Sequence, residues 1–365
     1  MTPPTPNTPI TPPPVSTRPA ARSFARSAGV TALALLATTG VLSAPAAHAQ
    51  TGAGYAVTKH YQIGGDGGWD YLAFDTAGHR LFVTHGTHVT VVNPDNGSII
   101  GDIPNTPHVH GVALAYDLGR GFITAAGDTS IHIFDLASLK PLGTVKVDPD
   151  DDAILYDPAT HYVVSLNGDA HSATVIDGAS GKSVGRIELP GGPEFGASDG
   201  NGTVYANIED KSLVVALDLK QLKVVRQWSL APCESPSGLA IDRRHHRIFS
   251  GCHNKLMAIS DADAGKVVAT VPIGRGVDAN RFDPGTQLAF SSNGDGTLTV
   301  VHEDSPDQYT VRGNVTTQLG ARTMALDPKT HTVYLVTAKF LPAQGNARPQ
   351  PVPGSFTLLV ATPTH

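Results

Sequence analysis

Short apolar runs recur along almost the whole chain, with apolar and polar positions alternating inside each run and turns rich in Gly, Asp and Asn between them. Alternation with a period of two predicts half-buried β-strands. No segment beyond residue 50 sustains the 3.6-residue period of an amphipathic helix, so almost no helix is expected. The runs also repeat as a set. A first strand ends in an aspartate at "LAFD" (Asp75), "LAYD" (Asp117), "ILYD" (Asp157), "GASD" (Asp199), "LAID" (Asp242), "NRFD" (Asp283) and "MALD" (Asp327), at spacings of 40 to 44 residues. A polar turn follows, then a second strand such as "LFVTH" (81–85), "YVVSL" (162–166) or "VYLVT" (333–337). A third strand, a tight turn such as "NPDNG" and a fourth strand such as "SIIGDI", "SVGRIEL" or "VVATVPI" close the unit.

Four strands in about 42 residues, seven times over, predict an all-β, seven-bladed β-propeller with four antiparallel strands per blade. A solenoid would need repeats roughly half as long. The ends agree with the propeller. The seventh unit stops after its third strand, "SFTLLVATP", while an unassigned strand, "YAVTKHYQIGG" (55–65), precedes the first marker and reads like the fourth strands elsewhere. This N-terminal strand is expected to close the last blade and so remove an exposed sheet edge.

The units resemble the YVTN-type β-propeller repeat family of bacterial envelope proteins. The resemblance covers essentially all of residues 50–365 and rests on the Asp marker, the "[FY]-[VIL]-[TS]-x" second strand and the "D-x-x-x-G-K" turns at 177–182 and 261–266. It implies the propeller fold and no single function, because the family includes binding proteins among its members. The Asn that often ends the family's second strand is present as Asn293 in "FSSN", whereas the first blade has His85 in "FVTH".

Composition and charge bear on location and partners. Residues 1–28 are rich in Pro and Thr and carry Arg18, Arg22 and Arg26 without any acid; an apolar stretch (29–44) and an A-x-A pattern ending at Ala49 follow. This reads as a secretory signal over 1–49, cleaved to leave a propeller over 50–365 that is periplasmic or secreted. The apolar stretch is short for a membrane span, and no second one follows, so no membrane span is expected after cleavage. Removing the three arginines takes the formal charge from −6 to −9. A charge of that sign argues against nucleic acid and anionic lipid as electrostatic partners, which need a basic face. The mature protein is expected to be a monomer, with a small molecule or metal, or another envelope protein, as its partner.

Candidate chemistry concentrates on one face. The loop entering each first strand and the loop leaving each second strand share a face of a propeller, the top face here. Five residues before the markers stand Asp70, Val112, Asp152, Glu194, Ser237, Asp278 and Arg322, so four of seven equivalent positions are acidic in a chain with 32 acids in 365 residues. His108 and His110 enter the second blade, Trp69 the first, and Asp150 and Asp151 the third; His85, His88, His171, Glu209, His253 and Lys339 sit in the second-to-third-strand loops. Each residue alone reads more readily as a solvated or turn-capping group than as a ligand. Crowded carboxylates as a set repel one another unless protons or a cation intervene. The expected site is therefore Asp70, His108, His110, Asp152, Glu194, Asp278, Arg322 and His253, with Asp152, Glu194, Asp278 and His110 as candidate ligands to a divalent metal ion. Carboxylates alone favour Ca²⁺ or Mg²⁺, and added imidazole favours Zn²⁺, Mn²⁺, Fe or Cu.

Three further expectations follow. Cys233 and Cys252 are the only cysteines and fall on the top face of one blade, which suits a disulfide in an exported protein. His79, His161, His245, His246 and His331 follow the markers in opposite-face turns and are expected to be solvated. The Pro- and Gly-rich insertion at 339–354 suits a lid or partner loop over the top face, or a mobile hairpin tip. Function stays open between a binding module for a metal ion or small ligand, a metal-assisted hydrolase or lyase with His110 or His85 as acid/base, and a protein-interaction scaffold. No motif for a covalent nucleophile or a phosphate-cradling loop is present.

Overall fold

The computed structural model describes residues 52–65, 67–342 and 349–364; the signal read over 1–49 lies outside them. Seven sheets of four antiparallel strands follow one another along the chain. Blade 1 is β2 (Trp69–Asp75), β3 (Arg80–His85), β4 (His88–Val92) and β5 (Ile99–Ile103). The first strands of blades 2 to 7 are β6 (Val109–Ala115), β10 (Asp151–Asp157), β14 (Pro193–Ser198), β18 (Pro236–Asp242), β22 (Val277–Asp283) and β26 (Met324–Asp327). In the last blade β26 pairs with β27 (Thr332–Thr337), β27 with β28 (Thr357–Pro363), and β28 with β1 (Tyr55–Gln62). The N-terminal strand thus closes the ring, in register from Tyr55 opposite Pro363 to Gln62 opposite Thr357. The helix content among the described residues is two single 3-10 turns, Tyr116–Leu118 and Glu209–Lys211.

Blades are sandwiched between neighbours, so their inner strands bury both faces and lose the simple alternation of a half-exposed strand. In β27 and in the second strand of blade 5, Arg247–Cys252, every residue is buried. The core is divided into seven apolar clusters, one between each pair of adjacent blades. Phe82, Phe122, Phe249 and Phe290 are fully buried there, each worth roughly 1.5–3 kcal/mol of burial.

The marker aspartates open the turns after the first strands. Asp75 Oδ1 accepts from the Ala77 and Gly78 amides, Asp157 Oδ1 from Thr160, and Asp327 Oδ1 from Lys329. The fourth residue after the marker then takes the left-handed conformation at His79 (φ 50°), His161 (58°), His246 (53°), Gln287 (56°) and His331 (58°). Blade 2 departs from the sequence reading. Ala115 pairs with Arg120 as Asp75 pairs with Arg80, and Gly119 (φ 60°) holds the left-handed position. Ala115 is therefore the marker position, and Asp117 lies two residues beyond it in the 3-10 turn.

The turn histidines also depart in part from the solvated expectation. His331 Nδ1 lies 2.7 Å from the buried Asp283, and His245 Nδ1 lies 2.6 Å from Asp242 and 3.3 Å from the fully buried Glu303 of blade 6. Among the described residues no helix is long and apolar enough to cross a membrane.

Candidate cation site at the channel mouth

Each innermost strand bends as it enters from the top. In β2 the register shifts between Trp69, opposite His85, and Leu72, opposite Val83, and the same bulge recurs in β6, β10, β14 and β18. A bulge leaves an unpaired residue and re-aims its neighbours. The second strand supplies a polar side chain to satisfy the freed backbone: Thr84 Oγ1 accepts from the Asp70 amide and donates to the Tyr71 carbonyl, both at 3.0 Å, and Thr124 Oγ1 accepts from the Gly111 amide at 2.7 Å. Asn207 donates instead to the Ser237 and Gly238 carbonyls of the next blade.

Register, rather than distance from an aspartate, fixes the equivalent positions beside these bulges. Val109 stands opposite Ala125 as Trp69 stands opposite His85, so His110 is the counterpart of Asp70. The count that selected Val112 is corrected by two residues. The ring is Asp70, His110, Asp152, Glu194, Ser237, Asp278 and Arg322.

These side chains meet. His110 Nδ1 lies 2.6 Å from Asp70 Oδ2 and 3.0 Å from Asp152 Oδ1, and the three donor atoms all fall within 4.8 Å of one another. Nε2 of His110 is 3.4 Å from His108 Nδ1. Across the mouth Arg322 Nε pairs with Asp278 Oδ2, and Ser237 Oγ lies 3.2 Å from Asp278 Oδ1 and 3.3 Å from Glu194 Oε1. All except Ser237 line one cavity of about 710 Å³, together with Tyr71, Asp150 and His253.

The charges do not balance. Four carboxylates face two cations, and among the described residues Glu194 has no cationic partner. Burial raises the Glu194 pKa, and the charges of Asp152 and Asp278 raise it further. Burial likewise raises Asp70, with its bond to His110 opposing and the Asp152 and Asp278 charges adding. Burial disfavours the charged form of His110, but the hydrogen bonds to Asp152 and Asp70 outweigh it and hold the imidazole protonated. Below the ring, Tyr71 is raised well above the usual phenol range by burial and then by Asp278. Such a mouth keeps protons on carboxyls that water alone would leave ionised.

Not every expected residue arrives there. His85 is buried with its ring stacked on Phe356 at 4.4 Å and does not line the cavity. His253 reaches the rim, where Nδ1 is 3.5 Å from Glu209 Oε1. His88 faces Asp102 at 3.7 Å, and Asp151 turns into blade 2 and accepts from the Ala125 amide at 2.9 Å. Cys233 and Cys252 are joined in a disulfide with Cα atoms 5.7 Å apart, beside the Pro236–Ser237 entry to the ring. The insertion at 339–354 begins as a hairpin, with Phe340 bridged to Pro351; residues 343–348 lie outside those described. Tyr71 was missed by sequence reading. The signal available is that its counterparts are Gly111, Ala153, Gly238, Ala279 and Thr323, all small, while Tyr71 and its blade-4 counterpart Phe195 carry rings, which lie 4.6 Å apart.

No family model and no curated protein matches the chain. The structure is similar to a chain of Kuenenia stuttgartiensis hydrazine synthase, with a TM-score of 0.66 at 16% identity over 74% of this chain and 92% of that one. It is also similar to a chain of a mitotic checkpoint complex (TM-score 0.70, 14% identity, 91% of this chain and 98% of that one). The WD40 repeats of RRP9 align at a TM-score of 0.69 and 12% identity over 84% and 96%. These likenesses show a propeller with WD40-like neighbours in structure and leave the chemistry to the residues of the site.

Proposed function

We propose that this chain is an exported β-propeller binding module whose channel mouth holds a divalent cation, alone or as the anchor for a small ligand. The observation that carries the reading is the convergence of Asp70, His110 and Asp152, from three successive blades, with donor atoms within 4.8 Å of one another. Two carboxylates and one imidazole form a mixed O/N set of the kind that suits Mn²⁺, Fe²⁺ or Zn²⁺ better than Ca²⁺ or Mg²⁺. To act as a ligand through Nδ1, His110 would give up its proton, and a bound cation would then neutralise Asp70 and Asp152 in place of the imidazolium. Glu194 and Asp278 line the same cavity and offer further oxygens to the ion or to a cationic ligand. Export is supported by the residue pattern over 1–49 and by the Cys233–Cys252 disulfide, which suits an oxidising compartment. The YVTN-type repeat pattern is consistent with an envelope protein.

Elemental analysis of the purified protein from residue 50 onward, followed by calorimetric titration of the metal-stripped form with Mn²⁺ and Zn²⁺, tests the site. One equivalent is expected, weakened at least about tenfold by Asp70→Asn combined with Asp152→Asn. Absence of metal in the purified protein together with absence of binding heat ends this reading.

One observation favours a second reading, metal-assisted hydrolysis or elimination: the His108–His110 contact gives the site a path for moving a proton away from the ring. Turnover of esters, lactones or unsaturated acids, lost on His108→Ala while metal stays bound, separates the enzyme from the module.

A further inference from the structure

The opposite end of the channel is built on different chemistry. Beneath the touching rings of Tyr71 and Phe195 lie two cavities of about 530 and 380 Å³, which share Phe195, Arg281 and Phe282 in their walls. Two residues before the marker position, five blades place alanine (Ala73, Ala113, Ala197, Ala240 and Ala325) and blade 3 places Leu155. Blade 6 alone places a charged residue there, Arg281, whose long side chain enters the space that the alanines leave.

Arg281 has no acid to meet. Its Nη1 donates to the Asn280 carbonyl at 2.7 Å, and its guanidinium lies 5.1 Å from the centre of the Phe195 ring. Among the described residues no carboxylate pairs with it. Burial lowers its pKa to about 10, which still leaves it charged at neutral pH. A half-buried cation without a counter-charge is costly, and the guanidinium fork keeps N–H donors to offer. Asp242 is the one carboxylate in the walls of these two cavities, and its oxygens are engaged by the Arg244 and His245 amides and the His245 ring. Arg243 and Arg244 add positive charge to the larger cavity.

We infer that the lower channel binds a small organic anion of amphipathic character. Its carboxylate, or a group of the same geometry, meets the Arg281 fork, which is shaped for two-point recognition of such groups. Its apolar body lies along Phe195, Phe282, Leu239 and Ile241, and a cavity of this size with one convergent charge and apolar walls is typical of a small-molecule site. The inference is independent of the cation site, which lies at the other mouth and repels anions.

Isothermal titration of the mature protein with octanoate, octan-1-ol and octylamine tests it. Octanoate is expected to bind at one equivalent, and the neutral and cationic analogues at least about tenfold more weakly. Arg281→Gln weakens octanoate binding at least about tenfold with circular dichroism and melting temperature unchanged, while Asp70→Asn combined with Asp152→Asn leaves it intact. Should Arg281→Gln fail to fold, Ala197→Leu narrows the same cavity with the charge retained and weakens binding in its place. Equal affinity for octanoate and octan-1-ol, equal affinity of wild type and Arg281→Gln, or no octanoate binding up to about 10 mM overturns the inference.

Discussion

Asp157 and Glu303 are both fully buried carboxyls, and their surroundings drive them in opposite directions. Burial pushes Glu303 up to about 7, the charge of Asp242 adds to that, and His245 opposes it. Burial also opposes the ionised form of Asp157, but donors from Ser198, Thr160 and Gly202 overcome it and hold the carboxyl below its usual range. Ser198 Oγ and the Gly202 amide donate to Asp157 Oδ2 at 2.6 and 3.0 Å from the next blade, so the marker aspartate caps its own turn and ties blade 3 to blade 4. A folded pKa below the unfolded value of about 3.9 means the stabilisation is present above that pH and is lost as pH falls through the folded pKa. Asp157→Asn is therefore expected to cost roughly 1–3 kcal/mol at neutral pH, with the gap to wild type narrowing below about pH 4. Urea melts at pH 7 and pH 3.5 measure it; a gap that stays constant would show that the charge contributes nothing.

At the scale of strands and turns, the sequence pattern was most legible where chemistry is local. The "D-x-x-x-G-K" turns form as read, with Asp177 Oδ1 accepting from the Ser180 amide and Gly181 at φ 67°. The same locality explains the error in blade 2: Asp117 sits in a polar turn after an apolar run and looks like a marker, but it belongs to a 3-10 turn and bonds Tyr156 and His161 instead. Arg281 was illegible as a site residue because "NRFD" shows its charge but not which side chains face the channel. The disulfide is the element-scale case that sequence did place. It spans 19 residues and ties the loop that leads into Ser237 to the end of the second strand of its own blade. Closing a loop of that length restricts the unfolded chain, so replacing both cysteines by serine is expected to cost about 3 kcal/mol. Thermal melts of the double variant and of reduced wild type should agree; a loss below about 0.5 kcal/mol would mean that the loop is held by its other contacts, such as those of the His253 amide with the Glu234 and Ser235 carbonyls.

For the molecule as a whole, the repeat made the fold readable: seven copies of one unit leave little choice of architecture, and blade count followed from spacing alone. The ring at the channel mouth was readable at six of its seven positions for the same reason, whereas the buried fate of His85 depends on Phe356, 271 residues away in sequence. Ring closure is the property no single blade has. β1 is the sole strand of blade 7 drawn from the other end of the chain, and Tyr55 reaches across to donate to the His331 carbonyl at 2.8 Å and packs edge-on to Phe290 of blade 6 at 5.1 Å. Without β1, the edge of β28 from Thr357 to Pro363 is bare, and an unpaired apolar edge invites pairing with another chain. Deleting residues 50–64 is therefore expected to lower the melting temperature by about 5 °C or more and to produce dimers or larger species. A synthetic peptide covering 52–64 should restore both the association state of the untruncated protein and most of its melting temperature, because it replaces the missing strand without a covalent link. Light scattering after size exclusion and a thermal melt with and without peptide decide the matter: a truncated protein that stays monomeric and melts within about 1 °C of the full-length domain would mean that the seven blades hold the ring without the strand that closes it.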